Sequence, residues 1–206
     1  MPSDIPINLA VEDTLSEAVA RKILRESGQP YSVGICYSRR GFGYLKKMIK
    51  PFNYTAKGMP YLVLTDLDES ECPLALINEW LLHPKHPNLL FRIAVKEVES
   101  WLLANQSAFA KFLGIREELI PTDVDRIDNP KQFLVNLARE SRYRSLREAI
   151  IPRRNSTAQV GPDYNGRLIY FVEKYWQVQV AVEHSLSLRR TFNTLSTFEP
   201  TWEVIE

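Results

Sequence analysis

The chain has 206 residues, with 26 basic and 25 acidic side chains and a formal charge of +1. That length supports one large domain, or a core domain with an extension, around a hydrophobic core. The balanced charge excludes an argument for nucleic-acid binding from net charge, so such binding would need a local basic patch. Cys36 and Cys72 lack zinc or redox spacing and read as two thiols in a reducing, cytoplasmic setting. The start, Met1 to Pro6, has no basic region leading into an apolar one, so no signal peptide is expected. No apolar run is long enough for a bilayer, and no membrane partner is expected.

Ile7 to Val11 reads as a first strand, followed by Glu12 and Asp13. Thr14 to Ser27 reads as a helix: Leu15, Val19, Ile23 and Leu24 recur at helical spacing. Thr14 is placed to cap it, with Glu17 at the capping-box position and Gly28 just beyond the end. Tyr31 to Tyr37 reads as a second strand. After it come Arg39, Arg40 and Gly41-Phe42-Gly43, then a short helix over Tyr44 to Ile49 carrying Lys46 and Lys47. These four cations are candidate phosphate contacts. The glycine pair is too short for a dinucleotide fingerprint or a P-loop, and a solvated basic face explains the same residues.

Tyr61 to Glu69 is the stretch around which the chain is organised. Its apolar run, bounded by Pro60 and Pro73, ends in Asp66 and Asp68. Chemistry in an open parallel sheet gathers at the carboxyl ends of strands. If the strand extends through Asp68, the two-residue period points both carboxylates the same way. Such a pair of hard oxygen ligands suits magnesium. The plainer reading is a turn or a cap for the next helix. That helix is expected over Leu74 to Leu82, burying Leu74, Ile77, Leu81 and Leu82. His83 and His86 lie between prolines and read as surface residues.

Leu89 to Val95 reads as a fourth strand, running into Lys96-Glu97-Val98-Glu99-Ser100-Trp101. A helix is expected from about Glu97, where both glutamates also favour an N-terminal turn. Three of four expected strands thus end in carboxylates: Glu12, then Asp66 and Asp68, then Glu97 and Glu99. Alternating strands and helices imply a parallel sheet whose carboxyl ends share one edge. Carboxylates gathered there repel unless cations neutralise them, which favours one metal site over separate accidents.

The remainder reads as helical, over Gln106 to Leu113, Lys131 to Glu140, Tyr143 to Ile150, Asn165 to Trp176 and Ala181 to Leu195, with Phe198 and Trp202 pinning the tail. The expected organisation is a core over residues 1–105 and a helical extension over 106–206 packed on it. Arg142, Arg144, Arg147, Arg153 and Arg154 form a basic run suited to phosphate. A salt-bridged helix surface is the alternative.

The turn Val11-Glu12-Asp13-Thr14-Leu15-Ser16-Glu17 resembles the first motif of Toprim domains, and Asp66-Leu67-Asp68 their later Asp-x-Asp. Glu97-Val98-Glu99-Ser100-Trp101-Leu102-Leu103-Ala104-Asn105 resembles a segment of small bacterial Toprim-like proteins, similar to the nuclease half of the overcoming-lysogenisation-defect nucleases. Asn129-Pro130-Lys131 and Gly161-Pro162-Asp163-Tyr164-Asn165 match the same branch without an assignable role. Two residues depart from the pattern: Asp13 replaces the usual glycine, where it would crowd the site or add a ligand, and Asn105 replaces an aspartate.

The resemblance implies a Toprim-like, Rossmann-like α/β fold with a mainly parallel sheet of about four strands, flanking helices and a C-terminal helical extension. It implies a magnesium- or manganese-dependent nuclease acting on DNA or RNA. Asp66 and Asp68 would be metal ligands, Glu12 a ligand or general base, and Glu97 and Glu99 a second metal position. Lys96 would stabilise transition-state charge. The similar proteins often work beside an ATPase in phage defence, which makes a partner ATPase an expectation; a homo-oligomer is left open. The alternatives are a non-catalytic Toprim-fold binding or regulatory module and a haloacid-dehalogenase-like phosphatase using Asp66 as nucleophile. Against the latter, its Asp-x-Asp normally lies on the first strand.

Overall fold

A computed structural model describes residues 4–38 and 40–202. Strands and helices alternate from the start: β1 (Ile5–Val11), α1 (Thr14–Glu26), β2 (Tyr31–Tyr37), α2 (Gly41–Thr55), β3 (Tyr61–Asp66), α3 (Pro73–Trp80) and β4 (Leu89–Ala94). The strands form one four-stranded sheet in the order β2-β1-β3-β4, and every pairing is parallel. This is an α/β fold with a Rossmann-like arrangement.

Why these strands sit where they do follows from their composition. β3 is buried at every position and β1 at all but one, as interior strands of a parallel sheet covered on both faces must be. Leu45, Ile49 and Phe52 of α2 and Leu76 and Trp80 of α3 pack on Tyr61, Val63, Phe91 and neighbouring strand residues. Trp80 stacks on Phe91 at 5.4 Å and Phe52 on Tyr61 at 5.0 Å. α1 buries Leu15, Val19, Ile23 and Leu24. β2 is an edge strand, partly exposed, and its pairing with β1 is irregular between Ile7 and Leu9. There the buried Asn8 accepts the Ile35 N–H at 2.8 Å through Oδ1. A Cβ on Gly34 would sit 2.8 Å from that oxygen, so the irregularity requires glycine.

Two compact units are present. Residues up to Val95 together with those from Arg190 onward form the sheet unit, and Lys96–Arg189 form the other. The second is helical: α4 (Val98–Leu103), α5 (Gln106–Leu113), α6 (Pro130–Arg139), α7 (Arg144–Ile150), α8 (Tyr164–Lys174), α9 (Val178–Ala181) and the start of α10 (Leu186–Ser196). No helix among the described residues is long and apolar enough to cross a membrane.

Several local expectations are corrected. α1 is capped by Asp13, not Thr14: its Oδ1 accepts the Ser16 N–H at 2.8 Å. α2 runs fifteen residues, through Pro51, where a short helix was expected. Leu74 and Leu82 are exposed while Leu76 and Trp80 are buried; α3 turns its Leu76–Trp80 face inward and stops at Trp80, leaving Leu82 beyond it. The helix expected over Ala181 to Leu195 begins at Leu186; Ala181 ends α9, and residues 182–185 separate them. Phe198 is buried, but Trp202 is half exposed. The tail is held instead by buried Asn88, which donates to the Thr201 carbonyl at 2.7 Å and accepts the Thr201 N–H at 2.8 Å.

Candidate carboxylate sites

The chain passes from β1 to β2 on one side and later returns to β3 on the other, so the order reverses between β1 and β3. The carboxyl ends at such a switch point border the crevice where α/β folds bind ligands. Glu12 follows β1 there, and Asp66 is the last residue of β3. The Thr65 hydroxyl donates to Glu12 Oε1 at 2.5 Å and the Asp66 N–H to the same oxygen at 3.0 Å. The Glu12 carbonyl in turn accepts the Gly41 N–H at the start of α2. Burial raises the Glu12 pKa above its ordinary value; the bonds from Thr65 and Asp66 pull it back, and the charges of Asp68 and Asp13 push it up again. Asp68 and Asp13 thus each repel the partly desolvated Glu12 carboxylate, beside buried Asp66 at the end of β3.

Asp68 is not on the strand. β3 ends at Asp66, and Asp68 has a φ of 48°, in a left-handed turn. The two-residue alternation thus does not align Asp66 with Asp68; their common neighbour is Glu12. Asp13, expected to crowd the site or ligate, spends Oδ1 on the Ser16 N–H and hydroxyl.

In the helical unit, Glu97 is the N-cap of α4, yet its side chain does not cap. Its Oε2 accepts the Lys131 N–H at 2.8 Å and its Oε1 meets Lys131 Nζ at 3.3 Å. Pro130 and Lys131 open α6, so a carboxylate sits on that helix's N-terminal N–H groups, a favourable dipole position. Lys131 Nζ also lies 3.7 Å from Glu99 Oε1, which accepts the Tyr164 hydroxyl at 3.0 Å. Glu99 is 2% exposed and its Oε2 has no partner. Burial pushes its pKa up to about 7; Lys131 draws it down and Glu97 raises it. The buried Asn105, at the aspartate position of the resembling segment, also keeps an unpartnered Nδ2. Lys96 is half-buried.

Lys131 and Tyr164, which meet Glu97 and Glu99, are not among the site residues expected from the sequence. The signal was present in Asn129-Pro130-Lys131 and in Gly161 to Asn165, the two motif segments without a role; both hold the Glu97–Glu99 pair. Thr65 gave no sequence signal.

The basic candidates divide. Lys46 pairs with Glu79 at 2.5 Å and Arg144 with Glu148 at 2.7 Å. Arg147 donates to the Ser141 carbonyl. Arg40 stacks over Tyr44 at 4.8 Å and Arg142 over Tyr143 at 4.9 Å. Lys47, Arg153 and Arg154 are exposed. Arg39 lies outside the described residues.

Among the described residues, no group of three or more His, Cys, Asp or Glu side chains is gathered closely enough to hold a metal ion. Magnesium, however, is commonly bound through one or two carboxylates with waters and substrate phosphate completing the shell. Glu12, Asp66 and Asp68 supply hard carboxylate oxygens of that kind, and the repulsion of desolvated Glu12 by Asp68 is one a cation would relieve. Comparison with protein-family models, curated proteins and solved structures returns no match, so no relative assigns a role to any of these residues.

Proposed function

We propose that the protein is a metal-dependent phosphodiesterase of the Toprim type, cleaving DNA or RNA. The observation that carries this reading is Glu12 at the switch point, hydrogen-bonded to Thr65 and Asp66 and repelled by Asp68. Magnesium or manganese, when bound, would polarise a phosphoryl oxygen and lower the pKa of attacking water. Asp66 and Asp68 would hold the ion through carboxylate oxygens. Glu12, with one oxygen fixed and a raised pKa, would act as ligand or as acceptor of the water's proton. Glu97 and Glu99, held by Lys131 and Tyr164, supply a second carboxylate group for the same class of chemistry, with the Glu99 Oε2 unpartnered. Lys96 is the candidate cation for transition-state charge. A role in phage defence beside an ATPase belongs to this reading by resemblance alone.

The test is cleavage of plasmid, single-stranded DNA and total RNA with magnesium, manganese or chelator, comparing the wild type with Asp66→Ala. Metal-dependent cleavage lost in the variant is the expected result. A wild type that cuts no substrate, or an Asp66→Ala variant that cuts normally, would overturn it.

A further inference from the structure

The helical unit carries exposed aromatic and cationic side chains that the carboxylate reading does not use. Tyr143, Tyr170 and Tyr175 are 39%, 48% and 43% exposed. Tyr175, and Tyr170 through it, rest on phenylalanine rings. Phe109 and Phe171 are fully buried and meet edge to face at 4.9 Å; Phe112 lies 5.2 Å from Phe171 and 6.0 Å from Tyr175. Tyr170 and Tyr175 meet edge to face at 5.8 Å. The rings are therefore presented in fixed orientations, at low entropic cost for a stacking partner.

Beside them opens a cavity of about 420 Å³, lined by Lys111, Arg116 and Arg142 with Glu140 as its acidic member. Lys111 and Arg116 make no ion pair among the described residues, unlike Arg144 and Lys46. Arg142 joins cavity to rings: it lines the first, lies over the Tyr143 ring and donates to the Tyr143 hydroxyl at 2.8 Å. Its loop is pinned by buried Ser141, which donates to the Leu113 carbonyl at 2.5 Å. Gly114, at φ 66°, ends α5 against this loop; a Cβ there would lie 2.6 Å from the Tyr143 ring.

We propose that Tyr143, Tyr170 and Tyr175 with Lys111, Arg116 and Arg142 form a binding face for single-stranded nucleic acid, rings stacking on bases and cations holding phosphates. Aromatic platforms beside a cationic groove are how proteins hold single strands without reading sequence. Unpaired cations favour a polyanion over a protein surface as the occupant, through charge complementarity. A duplex keeps its bases stacked inside and offers the rings nothing. The inference deepens the nuclease reading by naming the substrate's form, and rests on it for biological purpose, but the binding itself is separable.

The experiment measures fluorescence anisotropy of short labelled DNA and RNA strands, single and duplex, in chelator so that no cleavage occurs. Single strands should bind better than duplex. Tyr170→Ala and Tyr175→Ala should each weaken binding about ten- to a hundredfold, with Tyr175→Phe retaining it. Lys111→Ala and Arg116→Ala should each flatten the dependence of log affinity on log salt by roughly 0.7. Thermal melts of each variant show that the unit remains folded, and Tyr170→Ala serves where Tyr175→Ala loosens the Phe112 packing. Wild type that binds neither single strand, or tyrosine variants that stay folded and bind as wild type, would overturn the proposal and leave the face to a protein partner. Tyrosine-dependent binding without metal-dependent cleavage sinks the nuclease reading alone; cleavage without such binding sinks this inference alone.

Discussion

Thr65 donates its hydroxyl to Glu12 Oε1 at 2.5 Å, tying the penultimate residue of interior strand β3 to the residue just past interior strand β1. Thr65→Val keeps the shape and removes the donor. The desolvated Glu12 carboxylate then keeps the Asp66 N–H but loses one of its two donors, at a cost of about 1–3 kcal/mol. The Glu12 pKa should rise further, since this bond lowers it. Cleavage should fall roughly ten- to a hundredfold, as for other residues that orient a ligand, and Thr65→Ser should restore it. Urea melts and cleavage rates together check this.

Asp13 separates a cap from a ligand. Asp13→Ser preserves a side-chain acceptor for the Ser16 N–H and should keep both stability and cleavage. Asp13→Ala should lose about 1 kcal/mol of stability, and Asp13→Gly only a few tenths. Cleavage lost in the folded Asp13→Ser variant would instead make Asp13 a ligand.

Asp68 occupies a left-handed turn that asparagine also tolerates. Asp68→Asn should therefore stay within roughly 0.5 kcal/mol of wild-type stability while losing metal-dependent cleavage. An asparagine variant that cleaves normally would remove Asp68 from the site.

Lys131 holds two glutamates, one of them fully buried. Lys131→Met should cost about 1–3 kcal/mol, because it leaves buried negative charge uncompensated. Adding Glu99→Gln should recover most of that loss, a coupling that a double-mutant cycle reads directly. Additive losses would mean that Lys131 acts elsewhere.

Asp125 accepts the Ser185 hydroxyl at 2.8 Å and the Leu186 and Ser187 N–H groups at 2.9 and 3.3 Å, while Ser185 Oγ accepts the Leu188 N–H. Together they satisfy the free N–H groups at the start of α10. Burial raises the Asp125 pKa despite those bonds. The fold thus holds a proton more tightly than the unfolded chain. Its contribution to stability is full below the ordinary aspartate value, about 4, and is lost as pH rises through the raised one. Asp125→Asn should show a weaker decline over that window in denaturant melts taken from pH 4 to 7.

What the sequence determined was local. Apolar runs of strand length, separated by amphipathic helices, fix a parallel α/β sheet because each element's burial pattern is written in its own period. Carboxylates just past Val11, Leu64 and Val95 were legible for the same reason: adjacency to a strand end needs no partner. Helix ends were less legible. Asp13 capped where Thr14 was expected, since both types cap and only the backbone's path decides. The alignment of Asp66 with Asp68 failed because one residue in a left-handed turn breaks the two-residue period. What only the tertiary structure decided were the partners: Thr65 for Glu12, Lys131 for Glu97 and Glu99, Tyr164 for Glu99. These contacts span 32 to 65 positions. Likewise Arg144 and Lys46 were neutralised while Lys111 and Arg116 were left open. A side chain's sign is in the sequence, but whether a counter-charge or a buried oxygen meets it depends on distance in space, which chain packing alone sets.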